Sequence, residues 1–114
     1  MNQSEASKPV VWLRGEVKTP PFSSEARVEA GVLLLGRLQR GEKLSMPHSR
    51  PMPGIGPGCH ELRVPDRAAS WRISYFIDAD AIVILEVLEK TSNKTPSGVV
   101  NNCRRRMRAY SGVR

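Results

Sequence analysis

Apolar and polar residues alternate along several segments of the chain in the manner of β-strands. The segments 60–64, 71–78 and 81–90 follow this pattern in the second half of the chain, and 10–17 follows it near the start. Successive side chains of a strand point to opposite faces, so such alternation predicts half-buried strands. We therefore expect one early strand and a run of three strands that can form consecutive hairpins.

A first helix is predicted over residues 24–40. Pro20 and Pro21 end the preceding strand, and Ser23 or Ser24 can cap the helix. Gly41 supplies the stop. The apolar residues recur at helical spacing, which predicts an amphipathic helix; these are Val28, Val32, Leu35 and Leu38.

A last helix follows the polar link after residue 90. Thr95 can act as its cap and Pro96 suits its first position, because proline lacks the amide hydrogen that a helix start leaves unused. The expected buried stripe consists of Val99 or Val100, Cys103, Met107 and Tyr110.

The segment 45–58, SMPHSRPMPGIGPG, is rich in proline and glycine and predicts an irregular surface loop. The element order is then β, α, loop, β, β, β, α, which predicts an α+β fold.

The register of the predicted hairpin decides which face each residue occupies, because a slip of one residue exchanges the faces. Pairing residue 78 with 82 places Ile73, Tyr75 and Ile77 opposite Val87, Leu85 and Val83, and so makes one wholly apolar face. Pairing 78 with 81 mixes the faces. In the preferred register we expect Leu62 to lie opposite Ile73.

That arrangement places Arg63 beside Arg72 on a mixed face, near Glu61 and Glu86. Paired like charges destabilise a sheet, so an anion bound between the two arginines is one explanation. Salt bridges to the glutamates on a solvated face are the other.

Length and charge narrow the class of protein. The 114 residues fit a single domain, 1–114, with residues 1–8 as a flexible leader. The net charge of +7 favours a polyanionic or acidic partner. The longest apolar stretch, 81–85, is too short for a membrane span, and the two distant cysteines fit a reduced, cytoplasmic setting.

Four segments together resemble the phage-derived, HigB-like branch of the RelE/ParE toxin superfamily. They are KTPPFSSEARVEAGVLLLGRLQRGE, SRPMPGIGPGCHELRV, WRISYFIDADAIVILEVLEK and NKTP, and the similarity runs from about Trp12 to Tyr110. The ordered set is more specific than any one segment.

The resemblance implies a compact RelE-like domain, a curved antiparallel sheet with two main helices packed on one face. It also implies an mRNA endoribonuclease that acts at the ribosome without a metal or other cofactor, and a helix-turn-helix antitoxin as partner. Its basic site residues correspond to Arg63, Arg72, Lys90 and Lys94. Thr91 stands where these relatives usually carry a second lysine.

Metal-free RNA cleavage needs groups that move protons as well as cations. The candidates for proton transfer are His60, Glu61, Glu86 and His48. We include His60 in the catalytic set because imidazole titrates near neutrality, although its alternation with Leu62 predicts the apolar face. Candidate RNA-binding residues beyond the catalytic set are Lys94, Arg50, His48 and Arg104.

Two other functions fit the same residues. The chain resembles the gyrase-inhibiting ParE branch through the shared superfamily, so it could act on a protein target. It could also be a phage accessory protein that binds RNA or antitoxin without catalysis, as the missing second lysine allows.

Overall fold

The computed structural model describes residues 7–67, 69–91 and 93–112. The strands are β1 (Val10–Trp12), β2 (Ser49–Pro51), β3 (Cys59–Pro65), β4 (Ser70–Ile77) and β5 (Ile82–Glu89). The helices are α1 (Ser24–Gly31), which continues as a π-helical segment (Val32–Leu38), and α2 (Ser97–Gly112). Within these residues no helix is long and apolar enough to cross a membrane.

The strands form one five-stranded sheet in the order β1-β5-β4-β3-β2. The sheet is mixed, because β1 runs parallel to β5 while every other neighbouring pair is antiparallel. The prediction of a wholly antiparallel sheet was therefore wrong at β1. The prediction of a purely irregular loop over 45–58 was wrong at β2, which extends the sheet beyond β3. The fold class α+β is confirmed.

The two helices cover opposite faces of the sheet, whereas both were predicted on one face. Residues of α1 and its continuation pack with Leu62, Ile73 and Tyr75 in one apolar cluster. Cys103 of α2 packs with Val83 in a second cluster. Because alternate residues of each strand feed the two clusters, both faces of the central strands are covered.

The apolar stripe of the first helix differs from the predicted one. Val28 and Val32 are 58% and 57% exposed, and the buried residues of this region are Ala26, Ala30, Leu33, Leu34 and Leu38. Ala26 and Ala30 form the buried side of α1, and Leu33, Leu34 and Leu38 form that of the π-helical segment, so the two valines lie on a different side of the helix. The side chain of Leu35 lies outside the described residues.

The hairpin of β4 and β5 contains a β-bulge that the single-register prediction lacks. Ile73 pairs with Val87 as predicted, but Tyr75 pairs with Ile84 because the register shifts between Ser74 and Tyr75. Ile84 therefore joins the α1 face, and Leu85 joins the α2 face. The neighbouring pairing of Leu62 with Ile73 is confirmed.

The start of the chain is attached earlier than predicted. Lys8 donates its amide hydrogen to the Gln39 carbonyl and its ammonium to the Asp78 carbonyl, at 3.0 Å and 2.9 Å. The flexible leader predicted for residues 1–8 therefore does not extend to Lys8. Residues 1–6 lie outside the described residues.

Arg106 of α2 is bonded to the bulge. Its Nη1 donates to the Leu85 carbonyl at 2.9 Å and to Glu86 Oε1 at 2.6 Å. The bulge turns these two acceptors toward α2, and both partners of the ion pair are largely buried. One guanidinium thus joins the helix to the irregular point of the sheet.

We expect Arg106→Ala to lower the free energy of unfolding by about 1–3 kcal/mol, because it leaves a largely buried carboxylate and a carbonyl unsatisfied. Urea unfolding at neutral pH measures the change. Arg105→Ala, one residue away and exposed, should change stability by less than about 0.5 kcal/mol. Equal losses in the two variants would contradict a specific role for Arg106.

Asp66, just after β3, connects the sheet to the start of α1. Its Oδ2 accepts from the Ser23 amide at 3.0 Å and from the Trp71 indole at 3.1 Å, and Trp71 stacks on Phe22 with ring centroids 4.3 Å apart. The Ser23 backbone amide first, then the Ser23 hydroxyl and the Trp71 indole, hold the pKa of the Asp66 carboxyl well below its usual range.

We expect Asp66→Asn to lower Tm at pH 6 and to approach the wild-type Tm as the pH falls below about 4. A carboxyl with a lowered folded-state pKa stabilises the fold above its unfolded pKa of ~3.9, and this contribution is lost as the pH falls toward the folded pKa. Thermal unfolding across this pH range measures the gap. Glu29→Gln at an exposed position is the control, and a gap independent of pH would refute the assignment.

Candidate cationic active site

A cleft of about 300 Å³ brings together three of the predicted site residues: His48, Arg63 and Lys90. The rest of its lining comes from Pro47, Val64, Pro65 and Ser70. The cleft therefore lies where the segment before β2 meets the ends of β3, β4 and β5.

Backbone hydrogen bonds hold the main chain of these three candidate residues in place. The Arg63 amide donates to the His48 carbonyl at 2.7 Å, so the histidine is tied to β3 by its own main chain. The Lys90 amide donates to the Ser70 carbonyl, also at 2.7 Å, which holds the lysine beside the start of β4. These main-chain bonds at the ends of the strands thus set the backbone positions of His48, Arg63 and Lys90.

The cleft is electrostatically positive. Its lining contains no carboxylate, and among the described residues Arg63 has no ion-pair partner and its buried Nε has no hydrogen-bond partner. Lys90 Nζ makes a long hydrogen bond of 3.4 Å to Asn93 Oδ1. Cations without counter-charges in a concave site favour an anionic ligand such as a phosphate.

Arg72 lies opposite Arg63 in the sheet, as predicted, but it belongs to a buried ionic cluster. Its side chain is 1% exposed and its Nε lies 3.7 Å from Oε1 of Glu61, which is wholly buried. Glu61 also accepts from Arg50 Nε at 3.1 Å and from the Thr95 hydroxyl at 2.5 Å. The buried Glu61 carboxylate therefore offsets the repulsion between Arg63 and Arg72 by pairing with Arg72.

This cluster gives different roles to several predicted residues. Glu61 holds two arginines and is enclosed, so it does not line the cleft as a base. Arg50 also bonds Thr95 at 3.3 Å, and Thr95 uses its hydroxyl on Glu61, not on the first amides of α2. The cluster thereby joins β2, β3, β4 and the entry to α2.

His60 lies on the other face of the sheet. Its ring stacks against Tyr75 with centroids 5.5 Å apart, and its Nδ1 lies 3.2 Å from the Gly58 carbonyl oxygen. The structure thus separates His60 from the cleft, as the alternation with Leu62 indicated. His48 is the imidazole that the fold brings to Arg63.

The remaining candidates lie outside the cleft. Glu86 is paired with Arg106. Lys94 is exposed on the link before α2, and Arg104 is exposed on α2 itself. Ser70 also lines the cleft, and its hydroxyl is a group that can bond a phosphate. The sequence pattern did not indicate Ser70, because it precedes the predicted strand 71–78.

The cysteines give no sign of a reactive or metal-binding site. Both are buried, and burial first of all raises the pKa of each thiol, that of Cys59 to about 11. Over the described ranges, no three His, Cys, Asp or Glu residues group closely enough to hold a metal ion.

The family model described as phage derived protein Gp49-like (DUF891) matches residues 21–108. The chain belongs to this family. The Gp49-like proteins are a RelE-like toxin family in the broad sense. No curated protein and no solved structure shows significant similarity to the chain. The matched region of this Gp49-like chain contains the cleft and the buried ionic cluster.

We expect Glu61→Gln to lower the free energy of unfolding of the Gp49-like chain by about 3–5 kcal/mol, because it removes the counter-charge of a buried arginine. Chemical denaturation measures the loss. The double variant Glu61→Gln/Arg72→Met should recover much of it, since the unpaired buried charge is removed and the glutamine amide oxygen can still accept from Arg50 and Thr95. A double variant less stable than Glu61→Gln would refute this account of the cluster.

Proposed function

We propose that the protein is the toxin of a type II toxin–antitoxin system, of the HigB-like branch, and that it cleaves mRNA at the ribosome in the cytoplasm. The convergence of His48, Arg63 and Lys90 in one cleft without a carboxylate carries the proposal. Membership of a RelE-like toxin family in the broad sense supports it. A helix-turn-helix antitoxin is the expected partner.

The chemistry is attack of a ribose 2′-hydroxyl on the adjacent phosphorus. The new bond joins the 2′ oxygen to phosphorus, and the bond to the 5′ oxygen of the next nucleotide breaks. The products are a 2′,3′-cyclic phosphate and a 5′-hydroxyl. The phosphorane gains negative charge on its way to these products, so fixed cations beside it lower the barrier.

Each of the three cleft residues has a different role in this reaction. His48 accepts the proton of the 2′-hydroxyl, because it is the imidazole that lines the cleft beside Arg63 and a ring nitrogen can act as a general base. The Arg63 guanidinium binds the phosphate oxygens, for which its planar donor geometry is suited. The Lys90 ammonium adds positive charge and can donate a proton to the leaving 5′ oxygen.

Arg72 acts from behind the cleft. It lies opposite Arg63 on β4 and is buried against Glu61, so its charge is balanced by that carboxylate and it has no direct access from solvent. A loss of cleavage in an Arg72 variant could therefore come from lost catalysis or from lost stability. Arg63 is the better residue to substitute.

We expect His48→Gln to slow cleavage of a defined mRNA on translating ribosomes by about 10²–10⁴-fold, the usual contribution of a general acid or base. Arg63→Ala should slow it by about 10²–10³-fold. Single-turnover cleavage with identification of the 5′-hydroxyl ends measures both. His60→Gln, on the opposite face, is the matched control and should cleave at close to the wild-type rate.

Expression of the wild-type chain should arrest growth, and co-expression of the antitoxin should restore it. Wild-type cleavage by Arg63→Ala, or loss of cleavage in His60→Gln with His48→Gln active, would overturn the site. Growth arrest that begins with the DNA-damage response would support gyrase inhibition instead. Ribosome binding with intact transcripts would support the accessory-protein alternative.

A further inference from the structure

The outer face of α2 carries a second group of cations, apart from the cleft. Arg104, Arg105 and Arg108 are exposed there and line a surface concavity of about 370 Å³ together with Asn101. Side chains three or four positions apart on a helix are neighbours, and each of these four residues is so spaced from two of the others. They therefore form one continuous patch.

The patch is not neutralised by nearby acids. Residues 97–112 include no Asp or Glu, and within the described part of the chain these three arginines have no ion pair. Arg106, between them in sequence, points the other way and is bonded to Glu86 and Leu85. Packing thus explains one arginine of the helix and leaves three facing solvent.

We propose that this face of α2 binds the phosphate backbone of RNA as an anchor separate from the cleft. Adjacent like charges destabilise a helix in isolation, and phosphates bound between them relieve the repulsion. Arginine forks suit phosphate oxygens, and the Asn101 amide can add a hydrogen bond to phosphate or ribose. Phosphate contacts carry no sequence information, so we expect the anchor to give affinity without sequence preference.

The proposal takes RNA as ligand from the proposed function but predicts binding, not cleavage. Binding is therefore measured with 2′-O-methyl RNA, which lacks the attacking hydroxyl and stays intact. Two labelled probes are used, a single strand and a hairpin of equal length, and anisotropy is recorded between about 50 and 300 mM salt. Failure of cleavage at the cleft would leave this measurement unaffected.

We expect the triple variant Arg104→Gln/Arg105→Gln/Arg108→Gln to bind RNA at least about tenfold more weakly at low salt. Loss of three phosphate contacts should reduce the slope of log K against log salt by about 2 for the single strand. The control Arg14→Gln/Arg27→Gln/Lys43→Gln removes the same charge from exposed positions elsewhere. It should keep a slope close to that of the wild type.

A larger loss with the single strand would indicate that the anchor holds the RNA being cut, and a larger loss with the hairpin that it holds a separate structured RNA; both support the proposal. Equal slopes in the triple variant and its control would overturn it. Polyglutamate serves as a model of an acidic protein partner. If the triple variant loses polyglutamate binding but binds RNA like the wild type, the proposal is also overturned, in favour of such a partner. Circular dichroism and Tm verify that both triple variants are folded.

Discussion

Covering the sheet on both faces is the constraint from which the rest of the structure follows. A strand with helices on both sides has no solvated surface, so a charge placed within it needs a partner inside the protein. Glu61 and Arg72 meet this requirement for each other on neighbouring strands. Arg63 on the same face is only partly buried and lines the cleft. Arg63 and Arg72 are thus directly opposite each other, yet Arg72 is paired with a carboxylate and Arg63 lines a cleft.

The local patterns predicted most of the elements, but they did not predict how the layers are arranged. Alternation found β3, β4 and β5, and it placed Arg63 opposite Arg72. It assumed one register, whereas the strands use two, one on each side of the bulge beside Ser74, and this exchanges the faces of Ile84 and Leu85 relative to the prediction. The bulge is a feature of the pairing between β4 and β5, and Arg106 of α2 bonds to it. The sequence pattern of one strand therefore does not predict it.

The residues of the candidate site were likewise predicted in part, but their arrangement was not. Residue types and the family resemblance brought out Arg63, Lys90 and His48, while alternation correctly placed His60 on the other face. That His48 meets Arg63 depends on β2, a short strand within a segment whose prolines and glycines indicate a loop. Three paired residues are too few for periodicity to reveal, and the burial of Glu61 likewise depends on strands and a link distant in sequence.

The hydrogen bond between the Arg63 amide and the His48 carbonyl has a consequence for how such a protein can diversify. Main-chain atoms alone make this bond, so the distance between the two positions survives replacement of either side chain. A lineage can therefore exchange the imidazole or the guanidinium for another functional group without rebuilding the scaffold. Under the proposed function, substitutions at these two positions would change specificity or the type of reaction while the backbone of the cleft stays the same.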